Sequence, residues 1–213
     1  MNHKAILFDL DGTLTDSGEG IINCAIHALQ HFGITPPSRE ALRVFVGPPL
    51  HDSFVRFGVP EDKTDEAIRV YRERYIPEGI WENSVYPGIE ELLSELVKRG
   101  HQLYIATSKP EFMTHQILER FGLKQYFTMI CGATTDKQRN TKEAVIAYLL
   151  EQSGLRDQMI MVGDTVYDIR GAKYHNIPAI GVAWGYGEVA DMVQEGAAAI
   201  ANDTGHLLEL LTK

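Results

Sequence analysis

From residue 89 onward, stretches with helical spacing alternate with short apolar runs rich in β-formers. A helix expected over 89–99 ends at Gly100 and leads to a strand at 102–107. A second, over 110–121, opens at Pro110, stops at Gly122 and leads to a strand at 127–131. The rhythm continues with a helix at 142–152 and a strand at 159–163, then a helix at 166–175 and a strand at 178–182. A short strand at 197–200 and a final helix close the chain. Alternation of this kind means βαβ units, and βαβ units build a parallel sheet. In such sheets the functional groups collect at the carboxyl ends of the strands. The strand ends are therefore where chemistry should be read.

The first strand, about residues 4–10, ends unusually. The apolar run Ala5–Phe8 delivers two acids, Asp9 and Asp11, followed by Gly12 and Thr13. Burying like charges together is costly unless a cation or a shared proton compensates. Residues i and i+2 leave a strand on the same side, so both acids can address one point. A calcium loop of the EF-hand type is excluded, because Gly12 stands fourth from Asp9 and the twelfth position is Gly20. A strand running into an acidic turn remains the bland alternative.

Other strand ends carry polar groups as well. Strand 102–107 ends in Thr107-Ser108-Lys109, which suits either phosphate oxygens or the N-cap of the next helix. Strand 159–163 is followed by Asp164 and Asp168, four apart, able to reach one metal or one lysine, or else to cap a helix. Lys142 opens the helix at 142–152, where a cation opposes the helix dipole. Pairing with the aspartates or with a bound phosphate would account for it; a solvated surface lysine is the alternative.

Between residues 16 and 85 the pattern is helical without strands. Asp16 or Ser17 can cap a helix ending at Gly33, and Ser38 opens a second. Pro48 and Pro49 suit the first turn of a third, and residues 62–76 give a fourth. This reads as a small helical bundle inserted into a doubly wound α/β domain, with boundaries at 1–15 and 86–213 for the core and 16–85 for the insertion. His27 and His31 are spaced as zinc pairs can be, but no third ligand accompanies them, so they read as an ordinary helix face.

The formal net charge of −9 argues against a general nucleic-acid or anionic-membrane partner. An enzyme of anionic substrates would then need local cations: metal, lysines or helix N-termini. Cys24 and Cys131 are the only cysteines, which excludes C-x-x-C motifs and suggests a reduced, cytoplasmic protein. No run approaches a membrane span.

Taken in order, D-x-D-G-T, then T-S, then a lysine, then G-D-x-x-x-D resembles the four motifs of the haloacid dehalogenase superfamily, whose members are mostly phosphatases. Within it, Tyr86-Pro-Gly, Ala106-Thr-Ser-Lys-Pro, Met161-Val-Gly-Asp and Val182-Ala-Trp-Gly-Tyr-Gly187 look most like the phosphoglycolate phosphatase-like group, some of whose members are described as 5′-nucleotidases. The resemblance implies a helical cap of the C1 type inserted after the first motif and a magnesium-dependent phosphatase of small phosphorylated metabolites, monomeric or homodimeric. It assigns Asp9 as nucleophile and Asp11 as general acid and base. Magnesium would be held by Asp9, the Asp11 backbone carbonyl and Asp164, with Asp168 and Thr13 behind them, Thr13 orienting Asp11. Thr107, Ser108 and Lys142 would bind the phosphate. Arg43, near the loop Gly47-Pro48-Pro49-Leu50, is a candidate substrate contact from the cap. Trp184 and Tyr186 either line the entrance or simply pack. A phosphomutase sharing the motifs, or a non-catalytic regulatory protein retaining the fold, are the competing expectations.

Overall fold

A computed structural model describes residues 4–136 and 138–213. In chain order the elements are β1 (Ala5–Phe8), β2 (Thr15–Asp16), α1 (Gly18–His31), α2 (Leu50–Arg56), α3 (Thr64–Tyr75), β3 (Ser84–Val85), α4 (Ile89–Lys98) and β4 (Gln102–Pro110). They continue with α5 (Glu111–Arg120), β5 (Phe127–Ala133), α6 (Lys142–Ser153), β6 (Met159–Gly163), α7 (Val166–Tyr174), β7 (Ala179–Val182), α8 (Val189–Glu195), β8 (Ala199–Ala201) and α9 (Thr204–Thr212). The chain divides into two compact units. One contains residues up to Thr15 together with Val85–Lys213; the other is Asp16–Ser84.

The first unit is a six-stranded sheet in the order β5-β4-β1-β6-β7-β8, with every pairing parallel. The central strands are buried on both faces, which is why β1 and β6 read as unbroken apolar runs rather than alternating ones. Ala5, Leu7, Tyr104, Ala106, Met159 and Met161 pack with Val145, Ile146 and Leu149 of α6 and with Ile169 and Ala172 of α7. Ile6, Phe8, Leu103 and Ile105 alternate to the opposite face and are equally buried. After β1 the chain builds β4 and β5 outward on one side, then returns to build β6, β7 and β8 on the other. The order therefore reverses beside β1, which puts a crevice at the carboxyl ends of β1, β4 and β6.

The second unit is helical. Its core is a run of aromatic contacts: Phe45 edge-on to Phe54 at 5.0 Å, Phe45 stacked on Phe57 at 5.4 Å, Phe54 edge-on to Tyr71 at 6.4 Å and Tyr71 stacked on Tyr75 at 5.3 Å. Arg74 grips Glu82 with two hydrogen bonds, at 2.9 and 2.7 Å, tying the end of α3 to the returning chain. Among the described residues no helix is long and apolar enough to cross a membrane.

Several element boundaries differ from the sequence expectation for identifiable reasons. The helix expected to open at Ser38 is a five-residue 3-10 turn over Ala41–Phe45, confined between Pro37 and the Gly47-Pro48-Pro49 break. Pro48 and Pro49 precede the next helix instead of filling its first turn, because Pro49 is extended at ψ 132°. Strand β4 runs three residues beyond 107, through a register shift against β5 between Ala106 and Pro110. Helix α8 has no counterpart in the sequence reading: it is seven residues long and buries only Met192, too little for a recognisable apolar stripe.

Phe54 is fully buried at the centre of the aromatic run. Phe54→Ala is expected to destabilise the helical unit by about 3–5 kcal/mol. Denaturant titration checks this, and an unchanged midpoint would contradict the packing described.

Candidate active site

At the end of β1 the backbone stays in register: the Asp9 amide donates to the Val162 carbonyl at 2.9 Å. The chain then turns tightly, with the amides of Leu14 and Thr15 both donating to the Leu10 carbonyl, at 2.9 and 3.0 Å. Gly12 sits in the left-handed region at φ +81°, and a Cβ there would lie 2.1 Å from Asp164 Oδ2. The glycine of D-x-D-G-T is thus required twice, by its backbone angle and by the carboxylate pressed against it.

Lys142 is the hub. Its Nζ lies 3.0 Å from Asp9 Oδ1, 2.7 Å from Asp168 Oδ1 and 2.9 Å from the Ala106 carbonyl, so it gathers groups from the end of β1, from within β4 and from the first turn of α7. Its place at the start of α6 is explained by these partners; the helix end itself is capped by Thr141, whose hydroxyl accepts from the Ala144 amide at 3.2 Å. Asp9, Asp164 and Asp168 are all buried, and they present carboxylate oxygens within 4.8 Å of one another. Asp164 is held from two sides: the Thr13 hydroxyl donates to Oδ1 at 3.2 Å, and the Tyr186 amide donates to Oδ2 at 2.8 Å.

Helix α7 is capped by Thr165, not Asp164. Asp168 closes a capping box with Thr165, accepting from its amide and hydroxyl at 3.0 Å each. Shifting the cap by one residue leaves the Asp164 side chain to the site. Asp168 serves both readings at once, one oxygen on the helix end and the other on Lys142. Thr13 is also corrected: its hydroxyl serves Asp164, while Asp11 is held by another group.

That group is Lys109, which the sequence reading named only in passing. Its Nζ lies 2.8 Å from Asp11 Oδ2, and the two side chains are only 5% and 13% exposed. The signal was available: Lys109 stands two residues after Thr107, as Asp11 stands two after Asp9, and alternate strand residues share a side. A strand ending at 107 hides this side; β4 continues to Pro110 and carries Lys109 onto it. Thr107 is buried, its hydroxyl accepting from the Lys109 amide at 3.2 Å, and Ser108 is half-buried beside it. Arg43 belongs to the helical unit, where it lies 3.7 Å from Glu40. His31 of that unit faces Glu66 at 3.3 Å.

Charge shows what the cluster needs. Three buried carboxylates face one ammonium, so with all three ionised two negative charges would go uncompensated. Burial by itself would lower the Lys142 ammonium, but the charges of Asp168 and Asp9 outweigh it and hold it above the ordinary lysine range. Burial pushes the Asp164 carboxyl well above its usual range, and Asp168 and Asp9 push it the same way. The Tyr186 amide and Lys142 pull back without cancelling this. Hard oxygen donors with unbalanced negative charge fit a divalent cation.

An all-parallel α/β sheet thus gathers buried oxygen donors and a buried ammonium at its switch point. Residues 6–182 match the family model of the haloacid dehalogenase-like hydrolases, and the chain belongs to that family. It is 42% identical to a 5′-nucleotidase of Pseudomonas aeruginosa, over 88% of this chain and 86% of that one. It is 40% identical to the tyrosine-protein kinase PtkA of Mycobacterium tuberculosis, over 97% of this chain and 71% of that one. Phosphoglycolate phosphatase of Rhodospirillum rubrum is 32% identical, over 96% and 89%. The crystal structure of a predicted phosphatase from Clostridium acetobutylicum superposes with a TM-score of 0.95 at 42% identity, covering 99% of each chain.

Because the Asp164 carboxyl is raised in the folded protein, the folded chain retains a proton there at pH values where the unfolded chain has released it. Stability contributed through this group therefore falls as pH rises above the usual carboxylate range. In metal-free protein, Asp164→Asn is expected to be more stable than the parent at pH 8, with the gap closing toward pH 5. Thermal melts across pH check this; a pH-independent difference would contradict it.

Proposed function

We propose that this phosphatase hydrolyses small phosphate monoesters, phosphoglycolate-like or 5′-nucleotide in kind, through an aspartyl-phosphate on Asp9 with magnesium in the site. The observation that carries the reading is the pairing of each acid with its own lysine, Asp9 with Lys142 and Asp11 with Lys109. Two carboxylates two residues apart are thereby given different surroundings, and different surroundings permit different roles.

Asp9 Oδ1 accepts from the Leu10 amide at 2.7 Å and lies beside Lys142, so Oδ2 is the oxygen we assign to attack phosphorus. As the Asp9–phosphorus bond forms, the ester bond to the leaving oxygen breaks, and Asp11 gives that oxygen its proton. Asp11, now a carboxylate, takes a proton from the water that attacks the phosphoryl group, releasing inorganic phosphate and restoring Asp9. Lys142, the Thr107 hydroxyl and the Ser108 backbone hold the phosphoryl oxygens. Lys109 keeps Asp11 aimed at the reacting centre. Magnesium, held by Asp9, the Asp11 backbone carbonyl and Asp164, would supply positive charge against the phosphoryl oxygens. These cations resolve the conflict between a chain of net charge −9 and an anionic substrate.

We assign Asp16–Ser84 as a helical cap that selects the leaving group, with Arg43 its anion contact, and the sheet unit as the catalytic core. Cys24 and Cys131 are both buried and unbridged, in keeping with a cytoplasmic setting. The relative named as a tyrosine-protein kinase shares the frame. Delivery of the Asp9 phosphoryl group to a hydroxyl instead of water would give transfer rather than hydrolysis, and product analysis separates the two.

Release of phosphate from a panel of phosphoglycolate, nucleotides and sugar phosphates tests the reading; no turnover with magnesium at any pH would overturn it. Asp9→Asn is expected to lower turnover by on the order of 10³-fold or more while the protein still melts cooperatively. Lys109→Met is expected to slow alkyl phosphates far more than p-nitrophenyl phosphate, whose leaving group needs little acid. The loss should be a share of the roughly 10²–10⁴-fold a positioned acid supplies. Equal losses on both substrates would remove Lys109 from that role.

A further inference from the structure

The sequence Val182-Ala-Trp-Gly-Tyr-Gly187 runs from the last residue of β7 into the loop beyond it and has no part in the steps above. Its path is nonetheless tied to the site. The indole N–H of Trp184 donates to the Thr13 carbonyl at 3.1 Å, joining this loop to the D-x-D-G-T turn. The hydroxyl of the same Thr13 donates to Asp164 Oδ1, and the amide of Tyr186, two residues beyond Trp184, donates to Asp164 Oδ2. Gly185, between them, runs so close to Asp164 that a Cβ there would lie 2.3 Å from Asp164 Cβ. Tyr86 packs edge-on against the indole, with ring centroids 6.5 Å apart. The hydrogen bonds and the short backbone link from Trp184 to Tyr186 form a closed ring around one carboxylate.

We infer that Trp184 is a positioning residue for the divalent-cation site: its indole N–H pins the two loops that hold both oxygens of Asp164. The inference rests on the metal site assigned above and adds a residue that touches neither metal nor substrate. A carboxylate ligand whose oxygens are fixed before the cation arrives loses less freedom on binding, and partners behind the ligands commonly carry 10–100-fold in metal affinity or activity. A half-buried tryptophan such as Trp184 also finds a partner for its N–H when it merely packs. The test must therefore separate positioning from packing.

Magnesium binding to metal-free protein, measured by isothermal titration calorimetry, does so without relying on turnover. Trp184→Phe is expected to weaken magnesium by about tenfold or more, while KM for p-nitrophenyl phosphate at saturating magnesium stays close to the parent value. Thr13→Val removes the hydroxyl on Asp164, and in that background Trp184→Phe should cost much less than it does alone, because both act on one carboxylate. If the phenylalanine variant does not fold, benzothienylalanine at position 184 keeps the ring shape and removes only the donor, with the same result expected. Unchanged magnesium affinity, or losses that multiply independently, would overturn the inference and leave Trp184 a packing residue. If the parent protein itself binds no magnesium, the metal assignment fails and takes this inference with it.

Discussion

The site depends on one buried ammonium shared between two carboxylates. Lys142 neutralises part of the charge that Asp9, Asp164 and Asp168 bring into the interior, and it does so while bonded to the Ala106 carbonyl of β4. Removing one partner from such a group is far costlier than never having built it, since the remaining charges stay desolvated. The cluster is held together from the end of β1, from β4 and from the first turn of α7 at once, and what it lacks in positive charge fits a divalent cation.

The fold supplies this geometry through topology. Because strand order reverses beside β1, the ends of β1, β4 and β6 open on one crevice, although the chain passes through the helical unit between β1 and β4. Local chemistry then does the fine placement. Gly12 allows the first turn to lie on Asp164, a capping box turns one oxygen of Asp168 to the helix and the other to Lys142, and the loop after β7 closes over Asp164 from the far side. The residues that stabilise these helix ends and turns are the same ones that orient the charged groups, so stability and chemistry share atoms.

Much of this was legible in the sequence because acids at the ends of apolar strands have few structural explanations. Asp9, Asp11, Asp164, Asp168 and Lys142 all stood at strand or helix ends where ordinary stability did not call for that many charges. What escaped depended on boundaries and on neighbours distant in sequence. Lys109 was missed because a register shift carries β4 past its apparent end. The partner of Thr13 could not be read because Asp164 lies 151 residues away. The short 3-10 turn at Ala41–Phe45 and helix α8 have too few buried residues to impose a period.

The central claim is that Asp9, set by Lys142, carries the phosphoryl group in the course of turnover. Borohydride reduces an acyl phosphate to the alcohol, so quenching the enzyme during steady hydrolysis with labelled borohydride and mapping peptides tests it directly. Labelled homoserine is expected at position 9, and only when substrate is present. Active turnover with residue 9 unlabelled would contradict it.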